Sequence, residues 1–181
     1  MTQMKSLAVL VLLTVFAGCS SMHVTTEFDP EADFSVYKSW DWLPGGPPET
    51  GDRRLDSAQF RERIARLIGE EFAARGFQLS PDTPEFHVIY HAALDQELKS
   101  RNIENYYEYI NYAVFSPRVT SSYTESWDIG TLLIDVFDVK TRSLVWRGTS
   151  RIELNYQAGP KENEPIIRKA VQEMLKGFPP K

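Results

Sequence analysis

The chain has 181 residues with 20 basic and 25 acidic side chains, a formal net charge of −5. That balance excludes general nucleic-acid binding, which needs a basic face, and it excludes adhesion to anionic lipid by charge alone. Hydrophobic content of 42% and aromatic content of 12% are those of a folded protein, and the length suits a single domain.

The first segment is read as a signal. Lys5 precedes an apolar run from Leu7 to Phe16, then Ala17-Gly18 and Cys19, which is the sole cysteine. The run is about half the roughly 20 residues that a bilayer span needs, so a signal h-region fits and a permanent span does not. Phe16-Ala17-Gly18-Cys19 resembles the bacterial lipobox, with Phe16 where leucine is usual. Residues 1–18 are therefore expected to be a signal peptide, 19–23 a lipidated N-terminus and tether, and 24–181 one domain. Removal of residues 1–18 takes away Lys5 and no acid, which leaves the mature chain still more acidic. The membrane contact must come from acyl groups on Cys19, because several chains anchor firmly where one binds marginally. Ser20 after the cysteine suggests the outer membrane, with the domain facing the periplasm. Ordinary cleavage after Val15-Phe16-Ala17 is the alternative, and it would leave a soluble periplasmic protein with a free thiol.

Val24–Phe28 is β-branched and aromatic and reads as a strand, closed by the turn at Asp29-Pro30. Val36–Leu43 alternates and reads as a second strand, ended by Pro44-Gly-Gly-Pro-Pro48. Asp56 is expected to cap a helix over Ser57–Arg75, whose stripe is Phe60, Ile64, Leu67, Ile68 and Phe72. Gly76 stops it, and Phe77 and Leu79 are expected to fold back onto the core. Phe86–Leu98 alternates strongly. Thr131–Asp138 and Ser143–Leu154 form a hairpin around Lys140-Thr141, with Asp135 opposing Arg147 on one face. The last helix is expected over Pro165–Lys176, with Asn163 or Glu164 as its cap. Its buried stripe is Ile166, Ile167, Ala170, Val171, Met174 and Leu175. Two amphipathic helices need an apolar surface to cover. The fold class is therefore α+β, a two-layer sandwich of a mostly antiparallel sheet with both helices on one face.

No catalytic constellation, cofactor motif or metal set is legible. His87 and His91 are four apart, but on a strand they stand about 13 Å from each other and cannot chelate one ion. No glycine-flanked serine has a histidine nearby, and Gly45-Gly46 does not lead directly into a helix. Asp29, Glu31 and Asp33 lack the remaining ligand pattern of a calcium loop. Tyr106, Tyr107, Tyr109 and Tyr112 crowd one stretch of Ser100–Ser122. They fit either a recognition surface for a partner or a short helix or lid packed on the sheet, since Ile103, Tyr106, Tyr107, Ile110 and Val114 also fall at helical spacing.

Asp29-Pro-Glu-Ala-Asp-Phe-Ser-Val-Tyr-Lys38, Trp40-Asp-Trp42 and the block Gly130–Gly148 resemble a bacterial lipoprotein family known as domain of unknown function 4136. Arg75-Gly76-Phe77 and Pro84-Glu85-Phe86 are similar too. The resemblance implies an envelope lipoprotein with an α+β domain and brings no activity. In the Gly130–Gly148 block, Trp146 reads as a core anchor and Gly148 as a bulge or close approach. The expected function is a non-enzymatic envelope protein that binds another envelope component. The alternative is a carrier for a small apolar ligand or lipid, held between the helices and the sheet.

Overall fold

The computed structural model describes residues 22–94, 106–107, 110–112, 130–152 and 160–181. The signal segment, Cys19, Tyr109 and the continuations at 95–98 and 153–154 lie outside these residues. Six strands are described: β1 (His23–Phe28), β2 (Ser39–Trp42), β3 (Gln78–Leu79), β4 (Phe86–Ala93), β5 (Gly130–Asp138) and β6 (Leu144–Ile152). Two helices join them, α1 (Ala58–Ala74) and α2 (Pro160–Leu175). The strands form one open sheet in the order β1-β6-β5-β4-β2-β3. Pairing is antiparallel from β1 through β4 and parallel where β2 joins β4 and β3. The sheet is thus mixed but mostly antiparallel, in keeping with the expected α+β class.

The β5–β6 hairpin has the expected register, with Asp135 opposite Arg147. Its turn is tied by Asp138, whose carboxylate accepts from the Thr141 amide at 2.7 Å. Four local expectations are corrected. The strand expected over Val36–Leu43 begins only at Ser39, because Phe34–Val36 is a 3-10 turn capped by the Asp33 carboxylate accepting from Ser35 N. Ser57, not Asp56, caps α1, its hydroxyl accepting from Phe60 N at 3.3 Å. Asp56 is already committed to the preceding loop, accepting from the Thr50 and Gly51 amides at 2.9 Å each. Leu79 does not return to the core; it is exposed on β3, while Phe77 packs inward. Finally, α2 starts at Pro160 and contains Pro165. The lost amide of Pro165 falls early in the helix, so the turns that carry the apolar stripe keep their hydrogen bonds.

α1 ends where Gly76 takes φ +87°, and the Phe77 amide reaches back to Phe72 O at 3.0 Å. That 6→1 bond swings Phe77 beneath the helix. The apolar stripes behave as read. Ile64, Leu67, Ile68 and Phe72 of α1 share one buried cluster with Ile167, Ala170, Val171, Met174 and Leu175 of α2. Alternate residues of the strands complete it: Phe86, Val88 and Tyr90 of β4, Leu132, Ile134 and Val136 of β5, and Trp146 of β6. The opposite positions of the same strands, Ile89, Leu133 and Phe137, belong to a second cluster together with Tyr107.

Trp146 is the anchor that the sequence suggested. It is fully buried, donates from Nε1 to Gly177 O at 3.0 Å, and meets the ring of Phe178 edge-on. Its indole lies flat across Gly148, two residues on along the same face. A Cβ at position 148 would fall inside van der Waals contact of Trp146 Cη2 and 3.1 Å from Cζ2 and Cζ3. Gly148 is therefore a close approach, while the irregularity in the ladder sits elsewhere, between Val136 and Phe137. Gly148→Ala should lower the unfolding free energy by about 1–3 kcal/mol, since the indole must leave its place. Urea denaturation checks this. The same substitution in a Trp146→Leu background should cost clearly less, and equal costs would refute the steric account.

Candidate functional site

Two features stand out: a polar network beneath the tyrosines and a cavity at one end of the sheet. In the network, Arg147 of β6 grips Asp135 of β5 with two parallel bonds, Nε to Oδ1 and Nη2 to Oδ2, both 2.6 Å. Tyr107 donates a short hydrogen bond to Asp135 Oδ2. His91 Nε2 lies 2.8 Å from the same tyrosine oxygen. A phenol has one proton, and it goes to the carboxylate. His91 must therefore carry its hydrogen on Nε2 and donate it to Tyr107, which assigns the tautomer. All four side chains are buried. Burial pushes the Tyr107 hydroxyl well above its usual range and drives His91 down to about 4, so both are neutral at pH 7. His87 repeats the pattern four residues earlier on β4, with Nδ1 2.7 Å from the Tyr112 hydroxyl. Tyr106 donates to Gly46 O at 2.5 Å, which ties the loop after β2 to the same cluster.

The cavity has a volume of about 400 Å³. It lies between the beginnings of α1 and α2 and the ends of β4, β5 and β6. Its walls are apolar: Leu55, Phe60 and Ile64 on the α1 side, Ile167 from α2, and Ala92, Leu94, Leu132 and Ile152 from the sheet. Among the described lining residues, Arg54 and Arg63 are the charged ones. Arg54 pairs with Asp52 at 2.6 Å. Arg63 lies 3.3 Å from Glu164 through Nε, and its side chain makes no hydrogen bond among the described residues. Glu164 also takes Arg66 at 2.8 Å and Arg168 at 3.4 Å. Thr131 lines the cavity at its sheet end, and by strand alternation its side chain shares the face of Leu133 and Asp135, opposite that of Leu132.

A family model described as domain of unknown function (DUF4136) matches residues 24–180. The chain belongs to this family. Among solved structures, a PDZ domain protein from Parabacteroides distasonis shares the fold at 14% identity and a TM-score of 0.53. The match covers 88% of this chain and 36% of that one, so the chain spans about a third of that protein. The PelC dodecamer from Paraburkholderia phytofirmans matches at 8% identity and a TM-score of 0.48, over 85% of this chain and 94% of that one. No curated protein sequence matches.

Within this DUF4136 domain the residues singled out from sequence fall as follows. Tyr106, Tyr107 and Tyr112 turn inward onto the second face of the sheet, Tyr107 completely. Tyr109 and Cys19 lie outside the described residues. His87 and His91 share a face, each held by its own tyrosine. No cluster of three metal-ligating side chains occurs among the described residues, and no described helix is long and apolar enough to cross a membrane. Sequence reasoning paired Asp135 with Arg147 but missed Tyr107 and His91 as their partners. The signal was there in part: an acid within the otherwise apolar Leu132–Phe137 run demands a buried cation and further donors. Truncating one partner of this pair should be costly. Asp135→Leu or Arg147→Leu should each lose about 3–5 kcal/mol of stability in urea denaturation, whereas the double Leu variant should lose less than either.

Proposed function

We propose that this protein is a non-catalytic lipoprotein of the bacterial envelope whose domain binds a small apolar ligand. Cys19 carries the lipid, and the domain faces the periplasm from the outer membrane. The domain is read as a two-layer sandwich with α1 and α2 on one face of the sheet, and the ligand lodges where these layers part. The observation that carries this reading is the apolar cavity of about 400 Å³. Its size falls within the roughly 300–1,000 Å³ of small-molecule sites. Apolar walls with a few polar groups at defined positions are what such a site needs, because burial supplies affinity and the polar groups fix orientation. The inward-turned tyrosines also favour it over a tyrosine-based recognition surface, since Tyr107 offers no area to a partner while its ring is fully buried. The sealed network of His91, Tyr107, Asp135 and Arg147 is structural in this reading, as it holds the tyrosine segment against the sheet.

Two experiments test the two halves of the proposal. Ala92 is a small residue on the cavity wall, so Ala92→Phe should fill the space. The full chain with Cys19→Ser should enhance the fluorescence of N-phenyl-1-naphthylamine, and Ala92→Phe in that background should bind it at least tenfold more weakly with an unchanged urea midpoint. Equal binding by both proteins would overturn the cavity as the site. For the anchor, Cys19→Ser should abolish incorporation of labelled palmitate in cells and leave unprocessed precursor. Normal cleavage of that variant would favour processing after Ala17 and a soluble protein.

A further inference from the structure

The sheet register says where the cavity lies relative to the N-terminus. His23 of β1 pairs with Arg151, Arg151 with Thr131, and Thr131 with Ala93. This row crosses the sheet at one end, and Thr131 and Ala93 at its far side line the cavity. From β1 to β4 it spans three strand spacings, about 14 Å. Cys19 precedes His23 by four residues, which reach at most about 14 Å when fully extended. An acyl anchor on Cys19 therefore holds the cavity end of the domain next to the bilayer, and the opposite end, at the Asp138–Ser143 turn, faces away.

The chemistry of the rim narrows the ligand. The described charged residues that line the cavity are both arginines, in a chain whose net charge is negative. Their partner carboxylates, Asp52 and Glu164, are not among the lining residues. The Arg63 side chain is only 15% exposed, and its guanidinium donates no hydrogen bond among the described residues. A guanidinium with unused donors at the edge of an apolar space matches a planar anionic group bound bidentately. The volume accommodates one hydrocarbon chain of medium length rather than the paired chains of a phospholipid.

We propose that the cavity takes an anionic single-chain amphiphile of the fatty-acid class, with its tail among Leu55, Phe60, Ile64 and Leu132 and its carboxylate at Arg63 and Arg54. This rests on the binding reading above and adds the head group to it. The membrane beside the anchor is then the source of the ligand, since such amphiphiles partition there.

The test compares decanoate with decanol, which share a tail and differ in head-group charge. Binding is measured by calorimetry on the Cys19→Ser full chain, which carries no acyl group of its own. Decanoate should bind at least tenfold more tightly than decanol. Arg63→Gln should remove most of that preference and leave decanol affinity unchanged. The substitution should be tolerated by the fold, because Glu164 keeps Arg66 and Arg168. Arg54→Gln should give a smaller loss, as that side chain is more exposed. Equal affinity for the two probes, or a preference that survives in both variants, would overturn the anionic head group while the binding reading stands. Failure of both probes to bind wild-type protein would overturn the two together.

Discussion

β5 is buried along its whole length up to Phe137, on both faces, and most of the structure follows from that constraint. A strand with no face to show to water needs two covers. In the proposed sandwich α1 and α2 supply one, with Ile64, Ile68, Phe72, Val171 and Met174 in one buried cluster with Leu132, Ile134 and Val136. Tyr107 and its neighbours supply the other, against Leu133 and Phe137. β4 and β6 are buried for the same reason, because they flank β5 and share both covers. The exposed parts of the sheet are the margins, β1 and β3.

The two covers differ in kind. The helix side is apolar and rich in aromatic contacts, with Phe178 meeting Phe72, Phe77, Phe86 and Trp146. The tyrosine side has an ion pair at its centre. Charges survive there because every group is answered: Asp135 by Arg147 and Tyr107, and Tyr107 by His91. This arrangement also discriminates register. A slip of one residue in β5 would carry Asp135 into the helix-side core, where nothing of opposite charge awaits it. The pair thus ties the two faces of the sheet to their own covers.

Much of this was legible in the sequence, and the omissions have physical causes. The helical stripes and the β5–β6 hairpin follow from local periodicity, and the Asp135–Arg147 pairing from the length of one tight connection. Trp146 could be read as an anchor from its bulk within a strand, whereas Gly148 fitted a bulge as well as a close approach until its contact with the indole was seen. The 3-10 turn at Phe34–Val36 was hidden because Asp33 acts through a side-chain bond that alternation does not encode. The parallel joining of β2 to β4 and β3 depends on contacts between segments far apart in sequence. The same holds for the partnership of His91 with Tyr107. The tyrosines' composition fitted a surface as well as a lid, and only their burial and hydroxyl partners distinguish the two. The cavity is a mismatch between packed elements, which no single segment carries.

Among the described strands β1 pairs with β6 alone, so the first of them finds its partner in the last, with α2 beside it. The entire intervening chain must be present before that edge can form. Contacts of this kind carry a high loop-closure cost and slow the search for the native state. The order of assembly is therefore constrained: the β4–β5–β6 meander and its helices can consolidate first, and His23–Phe28 docks afterwards. A segment that joins last is also the one that can leave with least disturbance to the rest. The strand nearest the proposed anchor is thus the natural place for the domain to give way under a pull from the membrane, by unzipping one edge while the core stays closed.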